Sequence, residues 1–431
     1  MLQRESGQFL PQDFRKALNA EHSFPQKGLR LFPTKSISTN KTSTDRPFSL
    51  TWTHRPAWEL AQLIREREVT AETVVQAHLT QIKHHNPQIK AVSVLDEEEA
   101  LVRARQADQE LSAGSNEIGP LHGVPITLKD HVIVKGMRTT LGLPQYWSYR
   151  PSKDCELVAR LRRAGAIILG RTNVPFGCYD WNCRNPIYPE TVNPWNSSRT
   201  PGGSSGGAAV AIATGMTPLD MGSDLAGSIR LPSHCCGIFG LRTTDGLLPM
   251  NDVGPEDFPP SPSLLTVCGP MSRNVADLHL MLSVLAPEQR KDTPPVPEKL
   301  RIAQTHEILD ITANKATQVA IESFLNNLGK DGHKVTRDCA PEVDMAECFE
   351  LWALITGHLA SISLPKLMRT EPLNSILLFY VLQMRMGGGW IARNLRNGFN
   401  SSEQDFQNAL GRLEEIRAQV TKFYDQYDLW M

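Results

Sequence analysis

Residues 199–244 read RTPGGSSGGAAVAIATGMTPLDMGSDLAGSIRLPSHCCGIFGLRTT, and the rest of the chain is organised around this stretch. It holds two serine centres set in glycine. The first is Gly202-Gly203-Ser204-Ser205-Gly206-Gly207 and the second is Asp224-Leu225-Ala226-Gly227-Ser228-Ile229-Arg230. Glycine beside a serine lets the backbone approach a ligand closely and reach φ > 0. Successive N–H groups in such a turn can hold an anion or a developing oxyanion. The run 208–216 between the centres is apolar and Ala-rich, and it reads as a buried helix whose N-terminus lies beside the first centre. Two glycine-set serines joined in this way point to a catalytic pair.

Working outward, GPLHGVPITLKD (119–130) holds a short buried strand, 124–128, with Lys129 at its C-terminal end. In open α/β sheets ligands gather at that edge. A lysine buried there has a lowered pKa and can act as a base. Farther upstream, Trp58, Leu60, Leu63 and Ile64 recur at helical spacing in 56–70. A second helix over 71–86 follows with Thr70 as N-cap. A strand centred on 92–95 and a charged helix over 97–112 come next, then a helix over 154–164 and a strand over 166–170. The alternation predicts an α/β architecture. The segment 171–198 carries two Asn-Pro dipeptides and reads as a long loop. Its aromatic residues can wall an apolar pocket.

Downstream, 247–270 is Pro-rich and reads as loop. Helices are expected over 274–286, 315–328, 345–361, 376–396 and 403–424, and strands over 300–304 and 334–337. Residues 427–431, YDLWM, have the composition of a strand entering a sheet. Residues 1–48 lack periodicity, are rich in Ser, Thr, Pro and Lys, and are expected to be a disordered extension without the apolar core of a signal peptide.

Composition narrows the function classes. Forty-five basic residues face 46 acidic ones, a formal net charge of −1, which gives no long-range attraction to nucleic acid or anionic membrane. No apolar run reaches the ~18 residues of a transmembrane helix. Eight scattered cysteines without a CxxC pair read as reduced thiols of a cytoplasmic protein. There is no Walker-type GK[ST], no dinucleotide fingerprint and no zinc-ligand spacing, so neither cofactor nor metal is expected.

Taken together, GPLHGVPITLKD, TNVP, NPWN, RTPGGSSGGAA and GSDLAGSIRLPSHCCGIFGL resemble the amidase signature family over about residues 55–290. The resemblance is to free-standing bacterial-type amidases more than to amidotransferase subunits. It implies an α/β fold with a large mixed, twisted β-sheet covered by helices on both faces, spanning 49–431 as a single amidase domain. It also implies hydrolysis of a carboxylic amide through an acyl-enzyme. By that resemblance Ser228 is the nucleophile, Ser204 the bridging serine after a cis peptide at Gly203, and Lys129 the base. The backbone N–H groups of Leu225, Ala226, Gly227 and Ser228 would form the oxyanion hole. Gly203, Ser205, Asp224 and Arg230 would support the site, with Arg230 read as a structural ion pair. Cys178, Tyr179 and Trp181 would wall the substrate pocket.

The chemistry is coherent in itself. A serine hydroxyl is a weak nucleophile until a base takes its proton. Ser204 can donate and accept at once, so it can relay that proton to a neutral lysine and return one to the leaving amine. The partner implied is a small-molecule amide, with room for a homodimer and no nucleic acid or membrane. Four departures stand out, one being Pro189 where a glycine is common in the family. Ala226 replaces a family glycine, and a positive φ there would cost roughly 1 kcal/mol or more. Arg242-Thr243-Thr244 stands where the family often has Lys-Pro-Thr. The family's final C-terminal segment is expected to be missing after Met431. Two other readings compete: a G-x-S-x-G elbow with Ser205 as nucleophile, and a truncated non-catalytic paralogue or A-type amidotransferase chain that needs a partner.

Overall fold

The apolar stripe that opens the ordered chain folds as helix α1 (Ala57–Arg65), which buries Ala57, Leu60, Ala61 and Ile64. Trp58 instead lies 44% exposed on the opposite side. The computed structural model describes residues 52–114, 118–250, 252–255, 265–287, 296–309, 311–363 and 390–431. Residues 1–48, expected to be disordered, lie outside the described set. The described residues fall into two compact units, covering 52–287 and 296–431.

In the first unit, α2 (Ala71–Ile89) begins where Thr70 Oγ1 accepts the Thr73 N–H at 3.1 Å, the expected cap. Strand β1 (Val92–Leu95), helix α3 (Glu97–Ser112) and strand β2 (Pro125–Lys129) follow. Helix α4 (Glu156–Arg163) and strand β3 (Ile167–Thr172) come next. The central stretch then gives helix α5 (Gly206–Ala213), strand β4 (Leu219–Asp224) and helix α6 (Arg230–Cys236). Strands β5 (Phe239–Gly240) and β6 (Val267–Ser272) and helix α7 (Val275–Leu285) complete the unit. The strands form one six-stranded sheet in the order β1-β3-β2-β4-β6-β5. β3, β2 and β4 run parallel, and β1, β6 and β5 pair antiparallel, so the sheet is mixed as expected.

Every residue of β2, β3, β4 and β6 is buried. Fully buried Leu60, Leu79, Ile126, Leu128, Leu157 and Leu169 anchor the core, each stabilising by roughly 1.5–3 kcal/mol relative to exposure. Two strands differ from the sequence reading. β4 (LDMGSD) falls where no strand is expected, and the start of β6 lies inside the expected 247–270 loop. Pro270 sits within β6, where its missing N–H would ordinarily argue against a strand. Its carbonyl accepts the Leu241 N–H at 3.0 Å.

The second unit holds β7 (Arg301–Ala303), β8 (Glu307–Ile308), β9 (Ile311–Thr312), α8 (Lys315–Lys330) and β10 (Lys334–Thr336). Helices α9 (Met345–Ser363), α10 (Trp390–Phe399) and α11 (Glu403–Tyr424) precede β11 (Leu429–Trp430). β10, β7 and β11 form a parallel three-stranded sheet. The YDLWM segment therefore enters a sheet, with Arg301 paired to Asp428 at 2.7 Å beside it. Most of the helix expected over 376–396 lies outside the described residues.

Candidate active site

Parallel strands β2 and β4 bring their C-terminal ends to one edge of the sheet. β2 delivers Lys129, its last residue, and β4 delivers Ser223 and Asp224. The turn 225–229 leaves β4 and enters α6. Ser204 and Ser205 lie in the turn that enters α5, whose first residues are fully buried.

Lys129 Nζ donates to Ser204 Oγ at 2.6 Å, to Ser223 Oγ at 3.0 Å and to the Ser223 carbonyl at 3.2 Å. Its side chain is fully buried. Burial lowers its pKa, opposed by the nearby Cys178, Cys268, Asp224 and Cys183. The site thus favours the neutral amine that a base requires. The Gly203–Ser204 peptide is cis, as the family resemblance implies. Gly203 has no room for a side chain, because a Cβ there would stand 2.4 Å from the Asp180 carbonyl oxygen.

Asp224 organises the second serine turn. Its carboxylate accepts the N–H groups of Gly227 at 2.8 Å, Ile229 at 3.1 Å and Arg230 at 3.3 Å. The Arg230 guanidinium grips both its oxygens at 3.0 and 2.9 Å, and Arg242 approaches at 3.7 Å. Burial alone would push this carboxyl up, but Arg230 and the backbone donors hold it at about 2. Arg230 is therefore the ion-pair partner expected. The Gly227 N–H is engaged by Asp224, whereas no hydrogen bond from the Leu225, Ala226 or Ser228 N–H is seen among the described residues. Of the four N–H groups expected to form an oxyanion hole, the Gly227 N–H is thus taken up within the turn. Ala226 does not have a positive φ; Gly227 takes that conformation at φ 97°. The strain expected of alanine at 226 is therefore absent.

Ser228 lines a cleft with Ser204, Ser223, Leu225, Cys178 and Tyr179. Among the described residues no hydrogen bond joins its hydroxyl to Ser204. Trp181 stands behind the cleft, its indole N–H donating to the Ala226 carbonyl at 3.1 Å. This contact ties Trp181 to the second serine turn, and Trp181 is not among the described residues that line the cleft. Ser205 is fully buried, with its N–H bonded to the Ser228 carbonyl at 3.1 Å and its hydroxyl facing the Ser223 carbonyl at 3.4 Å. That placement is against the elbow reading, which needs Ser205 exposed on a strand-to-helix turn.

Several residues of the site escape the sequence reading. Ser223 takes two of the Lys129 contacts. His131, Met250, Val253 and Thr266 also line the cleft. Burial and the neighbouring Lys129 and Arg171 charges hold the His131 pKa well below its usual value. Arg171, fully buried, donates to the Val132 carbonyl and to Thr139, and stands 3.8 Å from Asp130. Asp130 in turn accepts the Thr140 N–H at 3.1 Å and hydroxyl at 2.5 Å. This brace fixes the backbone just after Lys129. The only sequence signals for it are the LKD and RTN tripeptides at two strand ends. Among the described residues no cluster of His, Cys, Asp or Glu could hold a metal, and no helix is long and apolar enough to cross a membrane.

A family model described as Amidase matches residues 73–431. The chain is similar to an indoleacetamide hydrolase of Bradyrhizobium diazoefficiens, 33% identical over 306 residues, covering 67% of this chain and 58% of the relative. It is 37% identical over 235 residues to the A subunit of a glutamyl-tRNA(Gln) amidotransferase of Cyanothece sp., covering 54% of this chain and 48% of the relative. The chain thus spans about half the length of these curated relatives. A solved structure titled "Crystal structure of amidase" matches with a TM-score of 0.67 and 26% identity, over 85% of this chain and 79% of that one. The match of the family model across most of the residues, and across both units, establishes that this chain belongs to the amidase family.

Proposed function

We propose that the protein hydrolyses a carboxylic amide to a carboxylate and ammonia or an amine through a serine acyl-enzyme. Lys129 is the base, Ser204 the bridge and Ser228 the nucleophile. The observation that carries this reading is the 2.6 Å contact from the buried Lys129 amine to Ser204, beside a cleft that Ser228 lines. A neutral Lys129 accepts the Ser204 proton while Ser204 accepts that of Ser228, and Ser228 attacks the amide carbon. The Leu225, Ala226 and Ser228 N–H groups receive the developing oxyanion. The proton returns through Ser204 to the leaving amine, and water then cleaves the acyl-enzyme.

The cleft walls supplied by Leu141, Tyr179, Leu225, Met250 and Val253 are apolar or aromatic, with a neutral His131 among them. They favour an uncharged, small or medium-sized amide. The eight cysteines are all free, in keeping with a reducing, cytoplasmic setting.

The similarity to the A subunit of an amidotransferase supports a second reading, in which the same triad works only beside a partner protein. Ammonia release from a panel of simple amides, compared with glutamine, separates the two. The first reading expects turnover of neutral amides by the isolated chain and none by Ser228→Ala. Activity confined to glutamine and to partner-bound protein would favour the second.

A further inference from the structure

Asp220 has no part in the mechanism above, yet it is fully buried within the sheet that carries Lys129. Its Oδ2 accepts the Thr127 hydroxyl at 2.6 Å and the Thr172 hydroxyl at 3.0 Å. Its Oδ1 has no hydrogen-bond partner. Strand register ties this cluster to Lys129. Thr127 precedes Lys129 by two residues on β2, so both side chains leave the same face. Thr172 is the register partner of Lys129 on β3, and Asp220 is the register partner of Thr127 on β4. The register runs on to Leu128 opposite Met221, one residue short of Lys129. The carboxylate thus sits opposite a residue two positions before the lysine, on the face that Thr127 and Lys129 share, in an interior that screens charge poorly.

We propose that Asp220 is a positioning residue for Lys129, whose charge, held by Thr127 and Thr172, sets the pH at which the lysine becomes a base. The inference rests on Lys129 being the base. An anionic neighbour favours the charged ammonium, so Asp220 keeps the rising limb of the activity profile at higher pH than burial alone would place it. Burial pushes the Asp220 carboxyl up to about 6, against the two threonine hydroxyls and Lys129, so its charge is present in the neutral range and lost below it.

The other groups around Lys129 do not supply this switch. Burial pushes the Cys178 thiol up to about 11 and those of Cys183 and Cys268 up to about 12, so they stay neutral. Asp224 is anionic throughout, and His131 is neutral above the acid range. Asp130, also raised to about 6, follows Lys129 by one residue, faces Arg171 and Thr140, and is left intact by the variants below.

The test is the pH dependence of kcat/KM in wild type, Asp220→Asn, Thr127→Val and Lys129→Ala, with melting temperatures recorded for each. Asparagine keeps the size and accepts the same hydroxyls. Asp220→Asn is expected to move the midpoint of the rising limb to lower pH by on the order of half a unit to one unit. Thr127→Val, which removes one donor to the carboxylate, is expected to move it the same way by less, and it carries the test should the asparagine variant fold poorly. An unmoved midpoint, or one moved upward, in folded variants overturns the role of Asp220. A rising limb that survives at the wild-type midpoint in Lys129→Ala overturns instead the reading of Lys129 as base.

Discussion

At the scale of the residue, the site turns on a lysine that the fold strips of water and gives three oxygen partners, Ser204 Oγ and the hydroxyl and carbonyl of Ser223. A buried ammonium is held less tightly than an exposed one, and the Lys129 pKa is lowered for that reason first. Activity is therefore expected to rise with pH through the depressed lysine pKa. Lys129→Ala should lower kcat/KM by about 10²–10⁴-fold, the usual contribution of a positioned acid-base group, and should abolish the rising limb. Steady-state rates from pH 5 to 9 check both. Asp224 makes the opposite linkage. Its folded pKa lies below the unfolded carboxylate value, so its stabilisation is present above pH ~4 and is lost as pH falls towards 2. Acid unfolding followed by circular dichroism should show Asp224→Asn starting less stable at pH 7 and losing less between pH 4 and 2 than wild type.

At the scale of the element, two tight turns place the serines, and each depends on a glycine for a different reason. At Gly203 the requirement is space, since an added Cβ would meet the Asp180 carbonyl at 2.4 Å. At Gly227 it is conformation, since φ is 97° while the surroundings are open, the nearest atom lying 3.9 Å away. Gly227→Ala should cost roughly 1–2 kcal/mol in backbone strain. Gly203→Ala should cost more, because backbone must move, and should remove activity with it. Thermal melts and rates of the two variants give the order directly. The glycine-set serines and the strand-end lysine are legible in the sequence because glycine and a run of β-formers are local signals. Strand β4 is not. Its sequence LDMGSD is half polar, and long-range partners satisfy its polar residues within the sheet: Thr127 and Thr172 for Asp220 and Lys129 for Ser223. Arg171 escapes for the same reason, since its role emerges only when β2 and β3 lie side by side. Trp181 falls in the expected loop, but its hydrogen bond to the Ala226 carbonyl is not legible there, because a side chain's direction is not written in a loop's composition.

At the scale of the whole molecule, the α/β class follows from the alternation of helical and strand periods, and the mixed sheet confirms it. The α/β alternation continues through 300–337 beyond the division into two units, so the sequence reading draws no boundary there, although the Pro-rich run 287–297 coincides with it. The thiols offer a check on the whole chain. Cys155, Cys183, Cys236 and Cys268 are buried, and Cys178, Cys235, Cys339 and Cys348 are partly exposed, with none paired. Without reductant, a thiol reagent is expected to titrate eight cysteines in denaturant and at most four rapidly in the native protein. Fewer than eight in denaturant would reveal a disulfide. The central claim is the identity of the nucleophile, and a fluorophosphonate tests it most directly. Peptide mass mapping after labelling should place the adduct on Ser228, with labelling lost in Ser228→Ala and retained at lower rate in Lys129→Ala. An adduct on Ser205, or equal labelling of Ser228→Ala, would contradict it.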